Sequence, residues 1–443
     1  MEQNHQLEEE RREERRKRRK RNQISAYVTL LVMIAVVAVG IVFGVRFIME
    51  KSRQNTQEEN QAKVDEMLGG ETQIVNPGGV GAAEETEAPV ELTYNQKLDE
   101  IVNAGIEVMP LEDKVAGLFM VTPEAITGVS TAVQAGDGTR DALAQYAVGG
   151  IVYFAKNMQS GEQLAEMIDN TLLYTKYPLF IGVDEEGGSV SRLADRGLAE
   201  AVDSAQAIGA SGDTNNAYQA GTAIGAYLKE LGFNLDFAPV ADLANVENSV
   251  MEGRSYGADA AAVSPFVTAM MNGLREQKVT ACLKHFPGIG STANDTHDGL
   301  SSTDRSAEDF RANEFVVFQN AINEGAKMIM MGHLSAPSLT GDNTPCSMSK
   351  EVVTDILRTE LGFEGVIITD ALNMSAITEY YGADEAAILA LKAGCDMILM
   401  PEDFETAYNG VLQAVNDGTI SEERINDSLR RIYRIKYADK VEQ

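Results

Sequence analysis

Histidine is scarce in this chain: 443 residues contain four. Cysteine is scarcer, at three, and the count is odd. Cys282 and Cys395 fall in or beside apolar runs, while Cys346 stands alone in a loop. Without a spacing pattern, they support neither a disulfide framework nor a zinc site. Positive charge is also short, with 37 Lys and Arg against 67 Asp and Glu and a net charge of −30. Nucleic acid needs a basic surface, so this balance argues against such a partner. The deficit is uneven, because residues 1–21 carry nine basic and six acidic side chains. No internal repeat is present, and no glycine fingerprint follows the first β-prone run, as an open dinucleotide-binding sheet would more often show.

What is present begins with a basic block over 11–21, followed by a nearly unbroken apolar run over 24–45. A membrane-spanning helix needs about 20 apolar residues, whereas a cleaved signal has a shorter apolar core. No cysteine follows the run to carry a lipid, and basic residues precede it. The expectation is a cytoplasmic basic segment over 1–23, a single transmembrane helix over 24–48 and a catalytic body outside the membrane. Residues 49–91 read as a juxtamembrane helix and a flexible acidic linker. Residues 92–443 form the folded body.

Within that body, eight short β-prone apolar runs occur at 116–122, 149–154, 178–184, 234–240, 279–284, 327–333, 365–370 and 395–400. Helical periodicity separates many of them, as over 205–231, 309–326 and 383–393, and an amphipathic helix over 421–437 closes the chain. Alternating strands and helices imply parallel βαβ units, and eight units imply an α/β fold of the (β/α)8 TIM-barrel type. Polar residues follow six of these runs: Asp184-Glu185-Glu186, Asp242, Lys284-His285, His333, Asp370 and Glu402-Asp403. Barrel enzymes assemble their sites from loops at that carboxyl-terminal end.

The residue types then limit the chemistry. Asp370, directly after a buried run, suits a nucleophile or electrostatic stabiliser; alone it would sooner cap the next helix, but in phase with five other polar strand ends catalysis is the better reading. Asp295-Thr296-His297 places a carboxylate where it can polarise an imidazole for proton transfer, although such a segment can also be a solvated turn. Lys284, His285, Arg192 and Arg254 can donate to hydroxyls, Asp184 can accept from them, and Gly187 and Gly188 permit close backbone approach. A metal site would need His285, His297, Asp295 and His333 to converge; the spacing matches no ligand motif and Lys284 would oppose a cation, so neither metal nor cofactor is expected. The inventory fits glycosyl transfer through a covalent intermediate with a histidine acid/base.

The ordered motifs carry a resemblance. Gly149-Gly150-Ile151-Val152-Tyr153-Phe154, Asp184-Glu185-Glu186-Gly187-Gly188 with Arg192, and Phe237-Ala238-Pro239-Val240-Ala241-Asp242 come first. Arg254-Ser255-Tyr256, Lys284-His285-Phe286-Pro287-Gly288, Asp295-Thr296-His297 and Thr369-Asp370-Ala371-Leu372-Asn373-Met374 follow. Together, over about 95–437, they resemble glycoside hydrolase family 3, in its β-N-acetylglucosaminidase (β-hexosaminidase) branch. The resemblance implies Asp370 as nucleophile, His297 as acid/base with Asp295, and Asp184, Arg192, Arg254, Lys284 and His285 as sugar-holding residues. It also implies a metal-free retaining exo-hydrolase of terminal β-linked N-acetylglucosamine, acting on cell-wall or chitin-type fragments.

Ile289 stands where the family usually has a second histidine, Glu185 where glutamine is frequent and Ser189 where arginine is frequent. Thr296 for serine and Tyr256 for phenylalanine are milder. These departures keep open a membrane-tethered glycan-binding module, while a phosphorylase or another β-glycosidase specificity remains possible on the same barrel.

Overall fold

The computed structural model describes residues 92–292 and 299–441. The expected segments 1–23, 24–48 and 49–91 lie outside these residues. Among the described residues, no helix is long and apolar enough to cross a membrane.

Each of the eight apolar runs yields a strand: β1 (Phe119–Val121), β2 (Gly150–Val152), β3 (Phe180–Val183), β4 (Leu235–Asp236), β5 (Thr280–Phe286), β6 (Met328–Met331), β7 (Val366–Thr369) and β8 (Ile398–Leu399). Nearly every strand residue is buried, as parallel strands packed beneath helices must be. Neighbours in the chain are neighbours in the sheet, all parallel, and β8 pairs back onto β1 through Phe119 and Ile398. A bridge between Ile368 and Met397 links β7 to the residue before β8. The result is the expected α/β barrel.

The outer helices form where capping and apolar periodicity coincide. Ser160 caps Gly161–Tyr174, Asp213 caps Thr214–Glu230, Asp259 caps Ala260–Glu276 and Asp403 caps Phe404–Asn416, each by accepting a first-turn backbone N–H. Such caps stabilise a helix by about 1 kcal/mol each. The closing helix Glu422–Tyr437, capped by Ser421, buries Ile425, Leu429, Ile432 and Tyr433 at helical spacing.

Two expected helices are each interrupted. The 205–231 pattern divides into Ala205–Ala210 and Thr214–Glu230, because Gly212 adopts φ +69° and Asp213 starts the second helix. The 309–326 pattern divides into Ala307–Ala312 and Glu314–Asn323 at Asn313, which has φ −126° and ψ −86°. Periodicity continues across both breaks because either helix still faces the barrel. Asp403, counted among the polar strand ends, serves as the cap just named; its carboxylate accepts from Thr406 N–H at 2.7 Å.

Candidate active site

After β3 the chain turns into a short antiparallel ribbon, Glu185–Gly187 against Val190–Ser191. Side chains alternate along extended backbone, so Asp184 and Glu186 belong to one face and Glu185 to the other. The contacts follow this division. Lys284 Nζ, at β5, lies 2.7 Å from Asp184 Oδ1 and 2.6 Å from Glu186 Oε1. Arg254 binds Glu186 through both oxygens, with Nε to Oε2 at 2.9 Å and Nη2 to Oε1 at 2.7 Å.

Burial raises the Glu186 carboxyl, but Lys284 and Arg254 outweigh it and hold the group down at about 2. Burial opposes the charge on Lys284, yet Asp184 and Glu186 raise its pKa above the usual lysine range. Glu186, Lys284 and Arg254 therefore stay charged at neutral pH.

Glu185 instead points into the protein, where it accepts from Leu193 N–H at 2.9 Å, Ala194 N–H at 3.3 Å and the Tyr227 hydroxyl at 3.0 Å. Gly187 and Gly188 have φ of +87° and +58°, and a Cβ on them would meet Asp203 O at 2.8 Å and Ser204 Cβ at 2.6 Å. Their small size thus permits the expected close approach of backbone, and the segment that approaches is 203–204.

Asp370 follows β7. Its N–H donates to Met331 O on β6 at 2.8 Å, and its Oδ1 accepts from Ala371 N–H at 2.8 Å. Helix Ser375–Thr378 starts after Met374, so Asp370 is not the helix cap that its sequence also allowed. Burial pushes the Asp370 carboxyl up, but His285, His333 and Ala371 N–H together bring it below the usual aspartate value. An ionised carboxylate at this position is chemically competent as a nucleophile.

The two described imidazoles play different parts. His333 is buried, and its Nε2 bonds Ala371 O at 3.1 Å while Nδ1 bonds the Ser347 hydroxyl at 2.8 Å. A carbonyl only accepts, so Nε2 carries a proton; burial lowers the pKa of the ring, against the pull of Asp370. His333 is thus a strut for the backbone beside Asp370, and both of its nitrogens are occupied. His285 bonds Asp242 on β4's carboxyl-terminal side, with Nδ1 2.7 Å from Oδ2. Among the described residues, no group of three or more His, Cys, Asp or Glu is placed to hold a metal ion.

Asp184, Lys284, Arg254, His285 and Asp370 thus converge on the carboxyl-terminal end of the barrel. Arg192 lies beside them: its N–H reaches Asp184 O at 3.4 Å, but its guanidinium sits 5.9 Å over the Phe154 ring, outside the Glu186 network. It lines a cleft of about 420 Å³ with Thr122, Phe154, Ala155, Lys156 and Met400. Asp295 and His297 lie outside the described residues.

Glu186, Asp242 and His333, which the sequence marked only as polar strand ends, join the candidate site through these contacts. All three belong to strand-end motifs visible in the sequence, and the alternation between Asp184 and Glu186 was the signal available for Glu186.

The family model for the glycosyl hydrolase family 3 N terminal domain matches residues 110–435. A beta-hexosaminidase of Nitrosomonas eutropha is 35% identical over 266 residues, covering 59% of this chain and 75% of the relative. Beta-hexosaminidase A of Pseudoalteromonas piscicida is 31% identical over 324 residues, covering 66% of this chain but 54% of the relative. A solved family 3 β-N-acetylglucosaminidase from Paenibacillus superposes with a TM-score of 0.69 at 35% identity, covering 74% of this chain and 62% of that one. The chain thus spans little more than half of some relatives and three quarters of others. On the matched barrel and its ordered motifs, this chain belongs to glycosyl hydrolase family 3.

Proposed function

We propose that this chain is a retaining β-N-acetylglucosaminidase that removes terminal β-linked N-acetylglucosamine from cell-wall or chitin-type fragments. The observation that carries the reading is Asp370, a buried carboxylate at a barrel strand end that His285 and, more weakly, the Asp184-paired Lys284 help to hold below its usual pKa. In this reading Asp184 and Lys284 grip sugar hydroxyls, Arg192 and Arg254 complete the ring contacts, and His285 donates beside the anomeric centre. Asp370 attacks the anomeric carbon as the glycosidic bond breaks, while His297, polarised by Asp295, protonates the departing oxygen. His297 then takes a proton from water as the water releases the sugar from Asp370. We further propose that an amino-terminal helix over 24–48 tethers the barrel outside the membrane.

The test is turnover of p-nitrophenyl β-N-acetylglucosaminide by the full chain, alongside a panel of other β-glycosides. Asp370→Asn is expected to lower kcat by about 1,000-fold or more, corresponding to the loss of roughly 4 kcal/mol of transition-state stabilisation, and to abolish trapping by a fluorinated sugar. Binding of N-acetylglucosamine without turnover would refute the hydrolase in favour of a glycan-binding module. Product analysis with and without phosphate separates hydrolysis from phosphorolysis.

A further inference from the structure

Asp242 is fully buried and accepts three N–H groups. Its Oδ2 takes His285 N–H at 3.0 Å and His285 Nδ1 at 2.7 Å, while Oδ1 takes Ile289 N–H at 2.7 Å. An ionised carboxylate only accepts, so Nδ1 must carry a proton. Among the described residues, no hydrogen-bond partner takes the other ring nitrogen, Nε2, which leaves it for the site. A Cβ built on Gly332 would lie 3.1 Å from His285 Cβ, which places the His285 side chain against the end of β6. There, Met331 O bonds Asp370 N–H on one side of Gly332 and His333 bonds Ala371 O on the other.

We propose that Asp242 is a positioning residue of the reaction: it holds His285 protonated on Nδ1 and thereby presents Nε2 to the substrate beside Asp370. This role rests on the glycosidase reading only in that Asp370 is the nucleophile. His285 is also the largest of the groups that lower the Asp370 carboxyl, so a displaced ring lets that carboxyl rise. Among the described residues, His285 and Lys284 from β5 and His333 after β6 are the titratable groups with the largest effects on Asp370. Asp242 acts on His285, Arg254 and Glu314. Of these partners, His285 is the one that also acts on Asp370 and bonds directly to Asp242.

A purely structural Asp242 would only hold the turn that carries Ile289. The two roles separate in the nitrogen spectrum of the ring. With four histidines in the chain, selective 15N-histidine labelling of the full protein gives few signals, and His285→Gln identifies the one required. The expected wild-type signal has Nδ1 protonated. In Asp242→Asn, that signal changes, kcat/KM falls about 10- to 100-fold, and the acid limb of the kcat/KM profile moves to higher pH. A wild-type ring without a proton on Nδ1 overturns the proposal, even if the variant does not fold. So does a folded Asp242→Asn protein whose ring signal and acid limb stay where they were. Absence of wild-type turnover would instead sink the glycosidase reading, since the ring spectrum needs no activity.

Discussion

At Gly332 a single methyl group would reach the reacting end of the barrel. Its Cβ would stand 2.8 Å from Ile289 Cγ2 and 3.1 Å from His285 Cβ, closer than packed carbons tolerate. Gly332→Ala should therefore displace His285, lowering kcat/KM at least about tenfold and stability by about 1–3 kcal/mol; steady-state kinetics and urea unfolding read the two effects separately. Ile289 is a milder position than its departure from the family pattern suggested. It is buried, its side chain packs toward Gly332, and its backbone N–H serves Asp242. Ile289→Val keeps that N–H and should cost about 0.5–1.5 kcal/mol of stability, with kcat/KM nearly unchanged. A large kinetic loss would show that the Ile289 side chain itself shapes the site. Ser189 is exposed at the tip of the ribbon, so its substitution does not remove a buried contact.

Among elements, the closing helix Glu422–Tyr437 is tied to the barrel through one buried carboxylate. Asp396, which precedes β8, accepts from Ile367 N–H on β7 at 2.9 Å and from Ser428 Oγ at 2.8 Å. It also pairs with Arg358 Nη2 at 2.5 Å and with Arg431 Nη1 at 3.1 Å. Removing such a carboxylate leaves the buried Ile367 N–H and the half-buried Arg358 and Arg431 without their partner, and breaking a buried pair typically costs about 3–5 kcal/mol. Asp396→Ala should lose stability of that order in urea unfolding, while kcat of the folded fraction stays close to wild type. The reason is placement: Asp396 lies at the amino-terminal end of the strands, and the proposed nucleophile Asp370 lies at the other. The amphipathic pattern over 421–437 identified this helix correctly. It could not identify Asp396 as its anchor, because that contact spans 32 residues and depends on how the helix docks.

For the whole molecule, pH acts on two opposed sets of buried carboxyls. Glu186 has a folded pKa of about 2 against an ordinary 4.5. It therefore adds stability above about pH 4.5, and that contribution, on the order of 3 kcal/mol, is lost as pH falls toward 2. Asp236 and Glu185 work in the other direction. Burial pushes both carboxyls up, so protonating them as pH falls relieves a cost. Stability measured by urea unfolding should decline between about pH 5 and pH 3. In Glu186→Gln the decline should be shallower, since the variant carries no proton-linked group there. An identical slope in both proteins would mean that Glu186 is not held ionised by Lys284 and Arg254.

The sequence by itself determined the number of strands, their parallel βαβ order and the strand ends at which polar residues gather. These are properties of local periodicity, set by which side chains one strand or one helix turn must bury. It also placed the candidates Asp184, Lys284, His285 and Asp370 at such ends, and Arg254 in the loop that follows one. Only the tertiary structure decided which of these groups are partners. Lys284 meets Asp184 across 100 residues and His285 meets Asp242 across 43, and no local pattern encodes either pairing. Barrel closure brings those strand ends within hydrogen-bonding reach, and burial there makes an ion pair or a ring tautomer strong enough to define the chemistry.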